Sequence, residues 1–187
     1  MNDVEKIKDD LKIMLSEYRY LHSLRVADLA RGLACVHDYD EKRAYLVGLV
    51  HDIAKDFSDN DNRRYVKYYH LSNHLLDDDY RKIIHADIGA CIARDKYSFD
   101  EELCHAIACH TIGDIPMNLI DKILFVADKI EPLKNYVGIE EERSMASFDI
   151  TKATIMCIEN NHKKLIRENR KISPRSIEVL EYLKNSQ

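Results

Sequence analysis

Apolar residues recur three and four positions apart along almost the whole chain, the period of a helix that buries one face. Val4, Ile7, Leu11 and Leu15 form the first such stripe. A second helix is predicted over about 18–37, with Leu21, Leu24, Ala27 and Leu29 turned inward. Asp40 reads as the N-cap of a third helix, over about 41–55, and its run Ala44-Tyr45-Leu46-Val47-Gly48-Leu49-Val50 is apolar nearly all round, which predicts a central position. Further helices are predicted over about 62–69, 80–97, 100–111, 118–131 and 151–169, with Asp100, Asn118 and Asp149 as N-caps and Pro132 as a stop. Ser173-Pro174 opens a last helix, since proline is tolerated at the first helical position. Five Gly and three Pro in 187 residues supply too little turn chemistry for a many-stranded sheet, so the fold class is all-α. With no internal repeat, linker or low-complexity tract, residues 1–187 are expected to form one domain.

Composition narrows the function. A 45% hydrophobic content is enough for a globular core, and apolar runs such as 44–50 and 123–127 are far shorter than a membrane helix of about 18 residues needs. The amino terminus shows no basic stretch followed by an apolar one, so a cytoplasmic protein is expected. The 28 Lys and Arg stand against 33 Asp and Glu, a net charge of -5 that offers a nucleic-acid polymer no attractive field. A phosphate-bearing ligand must therefore be held by a local cluster. Cys35, Cys91, Cys104, Cys109 and Cys157 contain no CxxC pair and are expected to be reduced core residues.

Charged groups inside apolar helices carry the chemistry. His51-Asp52 sits between Leu49-Val50 and Ile53-Ala54, where a buried carboxylate lacks an obvious cationic partner. Asp128 repeats the anomaly at the end of Ile123-Leu124-Phe125-Val126-Ala127. Either residue alone could be satisfied by a backbone group. Two such carboxylates with a histidine beside one of them point instead to a cation between helices.

The order His22, His51-Asp52, Asp128 resembles the HD-domain metal-dependent phosphohydrolases, whose signature is His, then His-Asp, then Asp on a helical bundle. His85 and His110 lie between the doublet and the last Asp, as in the dinuclear branches of that superfamily. Arg19-Tyr20-Leu21-His22, Gly48-Leu49-Val50-His51-Asp52-Ile53-Ala54-Lys55-Asp56, Ile84-His85-Ala86, Ala106-Ile107-Ala108-Cys109-His110-Thr111-Ile112-Gly113 and Ala127-Asp128-Lys129-Ile130-Glu131-Pro132 are similar to successive motifs of the bacterial YqeK family, over residues 19 to about 155. Leu133-Lys134 departs from that pattern, in which a polar residue and Arg follow the Glu-Pro. The resemblance implies symmetrical hydrolysis of diadenosine tetraphosphate to two ADP at a di-iron centre, by attack of a metal-bound hydroxide on phosphorus. It also implies the ligand sets: His22, His51, Asp52 and Asp128 for one metal, His85 and His110 for the other, with Asp52 bridging and indispensable to catalysis. Iron follows from the resemblance alone, because imidazole and carboxylate ligands suit manganese, zinc or nickel as well.

Lys55, one turn beyond His51, and Lys129, next to Asp128, could set positive charge against a polyphosphate. Thr111 and Arg25 are further substrate contacts by proximity to His110 and His22. The segment 59–80, with Arg63, Arg64, Tyr65, Tyr68, Tyr69 and Tyr80, could stack on an adenine base or line a subunit contact, but reads first as a half-exposed helix with amphipathic tyrosines. His37-Asp38 closes a helix into a polar turn, and His70, His74 and His162 lie in polar stretches, so all four histidines are expected at the surface. Glu102-x-x-His105 and Glu159-x-x-His162 match the pairs of ferritin-like di-iron bundles, but that reading needs two more inward Glu and leaves His51-Asp52 and Asp128 unexplained. An HD-type nucleotidase or other nucleotide pyrophosphatase would use the same ligands, and a metal- or nucleotide-binding sensor without turnover is the alternative outside catalysis.

Overall fold

The computed structural model describes residues 4–77 and 80–186. Those residues form ten α-helices and no strand: α1 (Val4–Met14), α2 (Glu17–Val36), α3 (Glu41–Val50), α4 (Asp59–Tyr68), α5 (Ile84–Tyr97), α6 (Glu101–Cys109), α7 (Leu119–Ile130), α8 (Ile139–Phe148), α9 (Ile150–Arg167) and α10 (Pro174–Asn185). The all-α class is as the hydrophobic period required. Among the described residues, no helix is long and apolar enough to cross a membrane.

Capping follows the sequence closely. Asp40, Asp100, Asn118 and Asp149 each accept backbone N–H groups at the start of α3, α6, α7 and α9, and Pro174 opens α10. At α4 the capping residue is Ser58, in a reciprocal capping box with Asp61, so the helix starts three residues before the apolar period suggests. α8 has no counterpart among the expected helices. It is short, buries Ile139, Glu142 and Ala146, and shows a weak apolar stripe because one of its three inward residues is a carboxylate.

The burial pattern also corrects details. Leu21 is exposed, and α2 instead buries His22, Ser23, Val26, Ala27, Ala30, Leu33 and Ala34. Small residues on that face let α3 approach closely. Gly48 of α3 lies over Ala27, where a Cβ would stand 2.6 Å from the Ala27 Cα and 2.9 Å from its N. α7 is the hub of the bundle, packing against α2, α3, α6 and α9 through Ile120, Ile123, Leu124, Phe125, Val126 and Ala127. Cys35 is exposed and Cys91 half-buried; only Cys104, Cys109 and Cys157 are core thiols, and all five are free.

Two histidines expected at the surface are partly or wholly drawn in. His162 is buried and shares a hydrogen bond of 2.8 Å with the Ser176 hydroxyl, tying α9 to α10. Half-buried His37 donates to the Ala146 carbonyl at 2.7 Å and anchors the end of α2 to α8. His70 and His74 are exposed.

Gly48→Ala tests the α2–α3 contact. Alanine gains up to about 1 kcal/mol in helix propensity, yet its methyl group meets backbone, which cannot swing aside as a side chain can. The expected outcome in urea unfolding is a net loss of about 2 kcal/mol.

Candidate metal centre

Helix α3 does not run through the His-Asp doublet as its apolar period suggests. It ends at Val50, and residues 51–56 continue as successive turns with bonds from Ile53 N to Val50 O (3.0 Å) and Lys55 N to Asp52 O (2.8 Å). His51 and Asp52 are thus presented from a helix C-terminus. His110 occupies the same kind of place as the C-cap of α6, while Asp128 lies in the last turn of α7. His22 comes from α2 and His85 from the first turn of α5. All six side chains converge on one buried region, in which His22, His51, Asp52, His85 and His110 are at most 3% exposed.

Their donor atoms fall into two groups joined by Asp52. In the first, His22 Nε2 stands 3.1 Å from Asp128 Oδ1 and 3.9 Å from Asp52 Oδ2, and His51 Nε2 stands 3.7 Å from Asp52 Oδ2 and 3.9 Å from Asp128 Oδ1. In the second, Asp52 Oδ1 is 3.1 Å from His85 Nε2 and 3.5 Å from His110 Nε2, and the two imidazole nitrogens are 3.3 Å apart. Ligands about 2.0–2.2 Å from one ion are separated from each other by roughly 3–4 Å, which is the spacing found in both groups.

Backbone contacts select the tautomers that a metal requires. His51 Nδ1 lies 2.7 Å from the Gly48 carbonyl and His110 Nδ1 lies 2.7 Å from the Ile107 carbonyl. A carbonyl only accepts, so Nδ1 carries the hydrogen in both rings and the Nε2 lone pair faces the site. His22 Nδ1 faces Glu131 Oε1 at 3.4 Å, the carboxylate–histidine pairing that orients metal ligands. His51 Nε2 and Asp52 Oδ1 are fully buried acceptors without a hydrogen-bond partner in the protein. Such orphans cost about 1–3 kcal/mol each unless something binds them, and one unpartnered acceptor in each donor group fits a cation in each.

Electrostatics agrees. Burial lowers the pKa of His51 and of His85 to about 4, which keeps both rings neutral and able to donate a lone pair at neutral pH. Burial pushes the Asp52 and Asp128 carboxyls upward, but the attraction of His51, His110, His85 and Lys55 for Asp52, and of Lys129, His22 and His51 for Asp128, holds both well below the usual carboxylate range. The site therefore presents two carboxylates beside the neutral imidazoles of His51 and His85, a negative cavity suited to divalent ions.

The surrounding cations are placed unequally. Lys55 Nζ lies 3.9 Å from Asp52 Oδ1 and 3.0 Å from His85 Nε2. Lys129 Nζ donates to Asp128 Oδ2 (2.7 Å) and to the His110 carbonyl (3.2 Å), with the Phe125 ring 4.6 Å below it. Arg25 turns to Glu131, at 2.8 Å from Nε to Oε2, so it supports the residue that orients His22. Thr111 lines an adjoining cleft together with Tyr80, Asp87, Cys109 and Arg175. Sequence reasoning assigned no role to Glu131 or Arg19. Glu131 is 1% exposed, and Arg19 Nη1 lies 3.4 Å from Asp52 Oδ2. A carboxylate following the apolar α7 just before proline was a usable signal for Glu131, and the place of Arg19 at the head of the Arg19-Tyr20-Leu21-His22 motif was one for Arg19. The ferritin-like pairing is absent here, for Glu102 is held by Arg43 (2.7 Å) and Tyr39 (2.9 Å), and Glu159 by Lys184 (2.6 Å).

Glu131→Gln keeps an oxygen acceptor for Arg25 but removes the charge facing His22. Metal affinity is expected to fall about 10–100-fold. Bound metal after dialysis against graded chelator, with the helical circular dichroism as control, checks this.

The HD-domain family model matches residues 19–133, the span that contains all six convergent side chains. The symmetrical bis(5'-nucleosyl)-tetraphosphatase of Bacillus subtilis is 33% identical over 165 residues, covering 88% of either chain. The enzyme of the same name from Staphylococcus aureus is 33% identical over 190 residues, covering 96% of this chain and 94% of its own. The crystal structure of a Clostridium acetobutylicum protein, described as a predicted HD superfamily hydrolase involved in NAD metabolism, superposes with a TM-score of 0.91 at 33% identity over the full length of both chains. Family match, relatives and fold agree that this chain belongs to the HD-domain family, in its YqeK-like branch.

Proposed function

We propose that the chain is a bis(5'-nucleosyl)-tetraphosphatase that cleaves diadenosine tetraphosphate symmetrically into two ADP. Its relatives from Bacillus subtilis and Staphylococcus aureus bear that activity in their names. The observation that carries the reading to this chain's own residues is Asp52, whose two oxygens face different groups of imidazoles, Oδ2 toward His22 and His51 and Oδ1 toward His85 and His110. We assign His22, His51, Asp52 and Asp128 to one metal ion and His85, His110 and Asp52 to a second. Iron is the assignment by family likeness, and the all-nitrogen-and-oxygen donor set accepts manganese, zinc or nickel too. When bound, the ions supply an acidified water at neutral pH and positive charge for the phosphoryl oxygens.

The chain's own residues hold and orient the rest. Symmetrical cleavage breaks the bond between the central bridging oxygen and one of the two inner phosphorus atoms; the hydroxyl from water joins that phosphorus, and the departing ADP takes the proton. A tetraphosphate brings several negative charges to a site already holding Asp52 and Asp128. Lys55 and Arg19, which lean on Asp52 from the solvent side with side chains 26% and 30% exposed, are placed to meet them. Lys129 holds Asp128 in position and retains one N–H for a phosphate oxygen. Thr111, at the edge of the adjoining cleft, is assigned to the nucleotide beside it. Five free thiols fit a reducing compartment, and we assign the protein to the cytoplasm on that ground.

Protein purified without added metal is expected to carry about two metal ions per chain and to convert diadenosine tetraphosphate to ADP as sole product. AMP with ATP as products would overturn the symmetrical reading, and preference for mononucleotides would replace it with a nucleotidase. Asp52→Ala is expected to lose metal and at least about 10³-fold in kcat/KM, roughly 4 kcal/mol of transition-state stabilisation, while circular dichroism stays helical. Retained turnover with full metal content would refute the bridging role.

A further inference from the structure

A second group of metal-ligating side chains lies outside the dinuclear centre. His105 and Cys109 lie one turn apart on α6, and Asp121 stands in the first turn of α7, with a ligand atom of each within 4.8 Å of the others. Asp121 is fully buried, and its Oδ2 is already used, accepting from the Asn118 backbone N–H at 2.8 Å and facing His105 Nδ1 at 3.0 Å. Its Oδ1 has no hydrogen-bond partner at all. An unpartnered carboxylate oxygen in a protein interior beside a thiol and an imidazole is the mark of a missing cation rather than of a helix cap, because the cap uses the other oxygen.

The surroundings complete such a site. His105 Nε2 faces Asp114 Oδ2 at 3.3 Å, and Asp114 is in turn gripped by Arg175 at the start of α10. With Asp114 accepting from Nε2–H, Nδ1 is left to bind metal, the same carboxylate–histidine support that Glu131 gives His22. Asp114 and His105 are each over a third exposed, which provides an entry path, and the adjoining cleft of about 340 Å³ touches Cys109, Asp114 and Arg175.

The geometry points to a mononuclear site for a thiophilic divalent cation of the zinc class, ligated by Cys109 Sγ, His105 Nδ1 and Asp121 Oδ1, with water in the open position. On binding, the Cys109 S–H bond breaks and its electron pair goes to the metal, while the proton goes to solvent. The proton shared between His105 Nδ1 and Asp121 leaves likewise, so one cation replaces another between the same two groups. The site ties α6 to α7 one residue before His110.

Cobalt(II) titrated into the metal-loaded protein discriminates this site from the dinuclear one, whose donors are all nitrogen and oxygen. One further cobalt per chain is expected, with a near-ultraviolet thiolate-to-cobalt charge-transfer band in the difference spectrum. Cys109→Ser should abolish the band, and zinc added to the wild-type protein should bleach it. Asp114→Asn, an isosteric change at a half-exposed position, should weaken cobalt binding about 10–100-fold. Absence of the band, its survival in Cys109→Ser, or unchanged cobalt affinity in Asp114→Asn would each overturn the assignment; the last decides it even where the buried cysteine variant does not fold.

Discussion

The bundle is organised around buried negative charge. Asp52 is 2% exposed and Asp128 packs beside it, both close to His51, whose imidazole burial keeps neutral. Uncompensated carboxylates of this kind are among the most costly groups a core can contain. Lys129, Lys55 and Arg19 offset part of the charge, but His51 Nε2 and Asp52 Oδ1 remain without a hydrogen bond in the protein. The stability of the interior and its capacity to hold cations are therefore one property.

Helix ends make that arrangement possible. His51 follows the last residue of α3 and His110 the last of α6, each with Nδ1 on the carbonyl three residues earlier, and Asp128 is in the closing turn of α7. Helix C-termini carry partial negative charge, so three of them directed at one region add to the field of the carboxylates. Unwinding at residue 51 serves the same end. Turns with bonds to the third residue back let neighbouring side chains diverge by about 120°, which allows His51 to serve one group while Asp52 spans both.

Packing sets how tightly these ends meet. Gly48 lets α3 lie against Ala27 of α2, and its carbonyl is also the group that orients His51. One residue thereby links the distance between two helices to the tautomer of His51. Glu131 plays the corresponding part for His22, joining it to Arg25 and to the Leu133 backbone N–H.

Local chemistry was enough to read the all-α class, most helix starts and the anomalies at His51-Asp52 and Asp128 from the chain itself, while His22, His85 and His110 followed from the resemblance to the HD-domain family. Apolar period, capping residues and a His-Asp doublet in an apolar run are statements about neighbours in sequence. Helix α8 escaped because its inward Glu142 interrupts the apolar stripe, and that carboxylate is satisfied by Asn160 and Tyr136 from outside the helix. His162 and Leu21 were misjudged for a related reason, since their burial depends on which neighbour covers them: α10 seals the first, and nothing covers the second. The contacts that Arg19 and Glu131 make, and the His105–Cys109–Asp121 group, were decided by the tertiary structure, because contacts between residues 33, 109 or 16 positions apart leave no periodic trace. The residue types able to bind metal were thus determined by the sequence, whereas their assembly into two joined groups and a third, separate one was decided by how the helices cross.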